Sequence, residues 1–155
     1  DGAHLGIKMG DAESHALTCT PDLYHVDPCY VEVKFDSRTP VMATKENCQD
    51  AAEKTAHAHG FEFETPGMIP PHRVAADSAF VQKLLHAYEH VTGLKGEAMA
   101  IGGGTYVHDI KNGVAFGAVL PGIATHMHGA DEFFDLENIV LATKVYAEAI
   151  IELCS

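Results

Sequence analysis

The segment TPGMIPPHRV, Thr65 to Val74, constrains this chain more than any other, because it carries three prolines and a glycine within ten residues. Proline locks φ and removes a backbone donor, so neither a helix nor an interior strand runs through such a stretch. The segment therefore reads as a boundary, and each side of it has to bury its own apolar faces.

Before the boundary, CYVEVKFD alternates, with Val31, Val33 and Phe35 on one face against Glu32 and Lys34 on the other. That period of two predicts a half-buried strand. ALTCTPDLYHVDP is a less regular strand, interrupted by Pro21, and Asp27-Pro28 supplies the turn of a hairpin. Thr44 is placed to cap a helix that runs to about His59, with Cys48, Ala51, Ala52, Thr55 and Ala56 as a narrow apolar stripe and Gly60 as the stop. FEFE, from Phe61, then resumes period two and predicts a further strand. Strand, strand, helix, strand corresponds to the last three-quarters of a ferredoxin-like α+β sandwich whose first strand and helix are not seen.

After the boundary, Asp77 or Ser78 caps a helix in which Phe80, Val81, Leu84, Leu85, Tyr88 and Val91 recur at helical spacing until Gly93. EAMAIGGG and GVAFGAVLPG are short continuous apolar runs, as expected of strands covered on both faces of an α/β sheet. A last helix is predicted from about Asp135 to Leu153, with Leu136, Ile139, Val140, Thr143, Tyr146, Ala147 and Ile150 inward.

Charge narrows the function. A net charge of −12 with ten Lys and Arg repels a phosphate backbone, which argues against a nucleic-acid partner. Apolar runs such as NIVLATKVYAEAII are broken by Lys and Glu short of the ~20 residues a bilayer span requires, so no membrane partner is expected. Four cysteines, Cys19, Cys29, Cys48 and Cys154, show no C-x-x-C spacing, which suits a reducing cytoplasm. No signal peptide is read at the start, and a first residue of Asp1 rather than Met raises the expectation of a piece of a longer protein.

Several constellations could carry chemistry. His126 and His128 stand at i and i+2, with Asp131 and Glu132 behind them. Neutral imidazole is a good zinc ligand, yet a catalytic zinc needs three protein ligands and a water, and on spacing alone the two loop histidines read better as solvated rings. In IGGGTY, Ile101 to Tyr106, successive glycines allow close backbone approach and leave N–H groups for an anionic oxygen, or form an ordinary turn. The pattern is neither G-x-G-x-x-G nor a P-loop, which removes dinucleotides and nucleoside triphosphates. Arg38, in FDSRTP, could fork onto a carboxylate or stand as a solvated cation. His57 with His59, and His86 with His90 at i and i+4, have helical spacings compatible with metal but lack the Glu of H-E-x-x-H, and read as exposed faces.

The order of the pieces says more than any one of them. SRTP, a helix, PPH, DSAFVQKLLHAYEHVTG, AIGGGTY, NGVAFGAVLPG, HGADE and VYAEAIIEL together resemble the C-terminal part of peptidase V-type dipeptidases, of the aminoacylase/carboxypeptidase-G type of di-zinc metallopeptidase. The similarity covers essentially the whole chain. It implies an α/β protein in which residues 1–70 are the second half of a ferredoxin-like lid domain and residues 71–155 the C-terminal half of a zinc-peptidase catalytic domain. His128, first residue of the late H-x-x-x-E motif that ends at Glu132, would be a metal ligand, with His126 a neighbour. The remaining ligands and the general-base glutamate would lie upstream, leaving no catalytic residue within this chain. Arg38 would hold the C-terminal carboxylate of a dipeptide, with Gly102, Gly103, Gly104 and Thr105 lining the same pocket.

Two zinc ions per full-length site are implied, with Mn or Co as alternatives, and the partners are a dipeptide substrate and the missing N-terminal half. The chain alone would then be inactive or nearly so. Relatives often carry a small residue and Arg after GGGTY, where Val107 and His108 stand here, a departure that bears on substrate preference. The competing expectations are a non-catalytic ferredoxin-like module that binds a small ligand or a protein, and a pseudoenzyme whose parent lacks the upstream ligands.

Overall fold

The computed structural model describes residues 1–117 and 119–155. The chain divides into two compact units, Asp1–Arg73 with Ala100–Gly104, and Val74–Met99 with Thr105–Ser155. Among the described residues the architecture is mixed α/β, with two small two-stranded sheets and three α-helices.

The first unit starts with a 3-10 turn, Ala3–Leu5, between Gly2 and Gly6, both at positive φ. Strands β1 (Gly10–Asp11) and β2 (His15–Ala16) form a minimal antiparallel pair. Its turn is organised by Asp11, whose carboxylate accepts from the Glu13 and Ser14 amides and from Ser14 Oγ. Strand β3 (Thr18–Val26) pairs antiparallel with β4 (Val31–Arg38), from Thr18 opposite Arg38 to Val26 opposite Val31. The register shifts between Pro21 and Leu23, because proline cannot donate to the ladder and an extra residue bulges out beside it. At the tip the Asp27 and Tyr30 backbones bond each other, and Asp27 Oδ1 accepts from the Cys29 amide at 2.8 Å, an Asx turn that fixes the hairpin.

Thr44 is extended and caps the next helix: its hydroxyl accepts from Asn47 N and its amide donates to Asn47 Oδ1. The first turn, Lys45–Gln49, is a wide π turn that continues as α1 (Asp50–Ala58). Bonds from Gly60 N to His57 O and from Phe61 N to Ala56 O then close the helix, with Gly60 at φ 80° supplying the left-handed residue that this cap requires. Cys48 and Ala52 point from the helix into a core with Ile7, Leu17 and Ala43, against which Met9, Phe63 and Met68 pack. Full burial of a side chain such as Leu17 stabilises by about 1.5–3 kcal/mol.

In the second unit Ser78 Oγ accepts from Val81 N and opens α2 (Ala79–Thr92), which Gly93 ends at φ 68°. Asp135 caps α3 (Leu136–Cys154) by accepting from Glu137 N. The 3-10 turn Tyr106–Asp109 lies between them in sequence. The helices α2 and α3 run antiparallel, since His86 pairs with Glu152 and His90 with Glu148. Leu84, Ala87 and Ala149 form their contact, with Val114 and Phe116 packed against it. Ala87 is fully buried, so the helices approach through a small side chain that the apolar periodicity of α2 does not single out.

Four expectations are corrected. FEFE forms no strand: the chain leaves the α1 cap in irregular form, Phe61 is about half exposed, and only Phe63 reaches the core. EAMAIGGG is likewise irregular, with Met99 and Ile101 exposed; GVAFGAVLPG shows no strand at its described residues, and its Ala118 lies outside them. A strand exists only through the neighbour it pairs with, and among the described residues neither run has one. On the β3–β4 ribbon Val33 is partly buried while Val31 and Phe35 remain about half exposed, so that face is covered in part, as the alternation implies.

The buried face of α3 is also different. Asn138, Val145 and Ala149 point inward, whereas Leu136, Ile139, Val140, Tyr146 and Ile150 are exposed. Packing against α2 selects the small residues that allow close approach rather than the most apolar side of the helix. Among the described residues no helix is long and apolar enough to cross a membrane.

Candidate functional site

Arg38 ends β4, and its Nη2 donates to Asp36 Oδ2 at 2.7 Å. Both side chains are about half exposed, so the pair is a solvated one of small intrinsic worth, and a second anion can compete for the guanidinium. The glycine segment reaches the same place. A Cβ built at Gly102 would stand 3.3 Å from Arg38 Cβ and 3.4 Å from its Cγ, so the backbone at 102 rests on the arginine stem. Gly103 and Gly104 have open space around the corresponding positions. None of the three is at positive φ; close approach is what calls for glycine, and it does so at position 102.

Thr105, in the second unit, opens the 3-10 turn Tyr106–Asp109 and exchanges bonds with His108, whose amide donates to Thr105 O. That capping role was not read from the sequence, although Thr followed three residues later by a polar side chain is the signal for it.

His128 lies in a tight loop of unusual backbone. His126, His128 and Asp131 all have positive φ, between 53° and 63°, the left-handed region in which Asn, Asp and His are the side chains most often found besides glycine. Gly129 N bonds His126 O at 2.7 Å and Phe133 N bonds Thr125 O, which closes the loop. The His126 ring packs edge-on against Phe133 with centroids 5.4 Å apart, so it is a wall of the loop. The His128 ring is exposed and makes no hydrogen bond or ion pair among the described residues, so its nitrogens are available to a ligand.

Among the described residues no three His, Cys, Asp or Glu side chains are gathered closely enough to hold a metal ion. Asp131 and Glu132, although close in sequence, do not complete a set with His128.

Comparison with known proteins places this geometry in context. The chain is similar over 153 residues, at 36% identity, to "Putative dipeptidase YtjP" of Bacillus subtilis (strain 168), covering 98% of this chain and 32% of that protein. A protein of the same description from Staphylococcus haemolyticus (strain JCSC1435) is 41% identical over 157 residues, covering 98% and 34%. Another, from Staphylococcus aureus (strain USA300), is 38% identical over 158 residues, covering 99% and 33%. The chain thus spans about a third of the length of the curated relatives it matches. The model of peptidase family M20/M25/M40 matches residues 2–152, and the chain belongs to that family.

Proposed function

We propose that the chain is the C-terminal portion of a zinc-dependent dipeptidase, a hydrolase that cleaves dipeptides with metal-activated water. One observation carries the reading: the Gly102 backbone rests on the stem of Arg38, so the two motifs that the family resemblance assigns to the substrate carboxylate meet in one unit. The similar proteins named "Putative dipeptidase" point to the same substrate class.

In this reading Arg38 releases Asp36 and takes the C-terminal carboxylate of the dipeptide with two parallel N–H bonds. Gly102, Gly103, Gly104 and Thr105 line the pocket and set its length, which favours two residues over longer peptides. His128 is the ligand this chain supplies to the metal pair. Zinc, or Mn or Co in its place, supplies the polarised water and a Lewis acid. The other ligands and the general base come from the N-terminal part of the same protein. That part is also the partner that covers the exposed side of α3, where Leu136, Ile139, Val140 and Ile150 form an apolar stripe. The residues up to about 70 act as part of a ferredoxin-like lid and the rest as half of the catalytic domain. Four free cysteines support a reducing, cytoplasmic setting.

Dipeptide hydrolysis by the chain with added Zn²⁺, Mn²⁺ or Co²⁺ tests this directly. No turnover is expected from the chain alone. In a full-length protein that contains it, Arg38→Ala is expected to raise KM for dipeptides and His128→Ala to abolish kcat. Robust turnover by the isolated chain that survives His128→Ala overturns the assignment.

A further inference from the structure

Two histidines of α2, outside the Arg38 and His128 segments of the sequence, stand side by side. His86 and His90 stand one turn apart on α2 with rings nearly parallel, 13° between planes and 6.2 Å between centroids. Their Nδ1 atoms are held by α3: His86 Nδ1 is 2.8 Å from Glu152 Oε1, and His90 Nδ1 is 2.7 Å from Glu148 Oε1. An ionised carboxylate only accepts, so both Nδ1 atoms donate, and in the neutral ring the lone pair is on Nε2. The two nitrogens of an imidazole face roughly opposite ways, so both Nε2 atoms are directed away from α3. The histidine side chains are 65% exposed while the glutamates are only 24–27% exposed, so the carboxylates are held and the rings are open.

This is the arrangement in which a carboxylate fixes the tautomer and direction of a metal-bound histidine. Here it occurs twice, at the i, i+4 spacing that brings two rings to one face of a helix. We propose that His86 and His90 bind a divalent transition ion through their Nε2 atoms, with Glu148 and Glu152 orienting the rings. One tetrahedral ion with Zn–N bonds of about 2.0–2.1 Å holds the two Nε2 atoms about 3.3 Å apart, so from rings whose centroids are 6.2 Å apart the ring tips have to lean together by roughly 1.5 Å each. Water completes the coordination, because no three donor side chains of the described residues share a site. Imidazole donors select Zn²⁺, Ni²⁺ or Cu²⁺ over Mg²⁺ or Ca²⁺. By bridging successive turns of α2 the ion stiffens that helix against α3. The inference is independent of the dipeptidase reading.

The test is calorimetric titration of the chain with ZnCl₂ and, separately, MgCl₂, on the wild type, His86→Ala, His90→Ala, Glu148→Gln and His128→Ala, with far-UV circular dichroism as the folding control. Zn²⁺ affinity is expected to fall by about tenfold or more in each of His86→Ala and His90→Ala, and by about tenfold in Glu148→Gln. His128→Ala is expected to leave this site unchanged, and Mg²⁺ to give no binding. Affinities within about threefold of wild type in both His86→Ala and His90→Ala overturn the proposal. If a substitution unfolds the helix pair, the imidazole ¹⁵N spectrum of the wild type decides: the Nε2 signals of His86 and His90 move first with substoichiometric Zn²⁺. Movement confined to other histidines overturns the site.

Discussion

Gly102 lies against Arg38 so closely that a Cβ on the glycine would sit 3.3 Å from the arginine's own Cβ. That contact is tight but not prohibitive, because the arginine stem is exposed and can yield by a few tenths of an ångström. Gly102→Ala is therefore expected to change stability by less than about 0.5 kcal/mol while displacing the arginine from Asp36. Gly103→Ala, with open space around it, leaves that pair alone. NMR shifts of the Arg38 guanidinium and Asp36 read the difference, and equal shifts from both variants would contradict the contact.

Ser78 is the N-cap of α2 and satisfies the Val81 amide at 3.3 Å. Ser78→Ala is expected to cost about 1 kcal/mol in urea denaturation, and Ser78→Asp to restore most of it. Loss of nothing in the alanine variant would place the helix start elsewhere.

The two sides of α3 are expected to respond in opposite ways. Ala149 is 5% exposed against α2, and Ala149→Leu overpacks that contact at a cost of about 1–3 kcal/mol. Ile150, the next residue, is 62% exposed, and Ile150→Gln should stay within about 0.5 kcal/mol in the chain alone. A reversed order of the two midpoints would mean that the apolar side of the helix is the buried one.

Asp27 makes the hairpin tip sensitive to acid. The Cys29 amide, chiefly, holds its carboxyl below the ordinary 3.8 against the opposing effect of desolvation, with the His25 ring and the Tyr30 amide adding in the same direction as Cys29. A carboxyl whose pKa is lower folded than unfolded stabilises the fold above its unfolded pKa and loses that contribution as pH falls through the folded value. Asp11, bonded chiefly by Ser14, acts in the same sense. Denaturation midpoints should therefore drop from about pH 5 downward. Asp27→Asn, which keeps an acceptor for Cys29 N, should flatten part of that slope; an unchanged acid limb would count against the Asx turn.

The sequence carried the endings of elements well. Thr44, Ser78, Asp135, Gly60 and Gly93 mark helix boundaries because capping is local: a side chain within three residues satisfies an amide, or a glycine takes the left-handed conformation. Asp27-Pro28 and Pro21 marked the hairpin and its bulge for the same reason. The candidate site was legible only in part. Arg38, Gly102 and His128 stood out by motif, but the resting of Gly102 on Arg38 and the left-handed turns of the loop around His128 are not written in spacing.

What the sequence by itself determined is where segments start, stop and turn, along with family membership, since these depend on neighbours along the chain. Only the tertiary structure decided which faces are covered. FEFE and EAMAIGGG have the composition of strands, yet a strand needs a partner beside it, and none is found for them among the described residues. Leu136 and Ile150 lie on the more apolar side of α3, yet the small side chains of Ala87 and Ala149 let the helices close on the other side. The same closure brought Glu148 and Glu152 under His86 and His90, a relation between residues about 60 positions apart that no local pattern encodes.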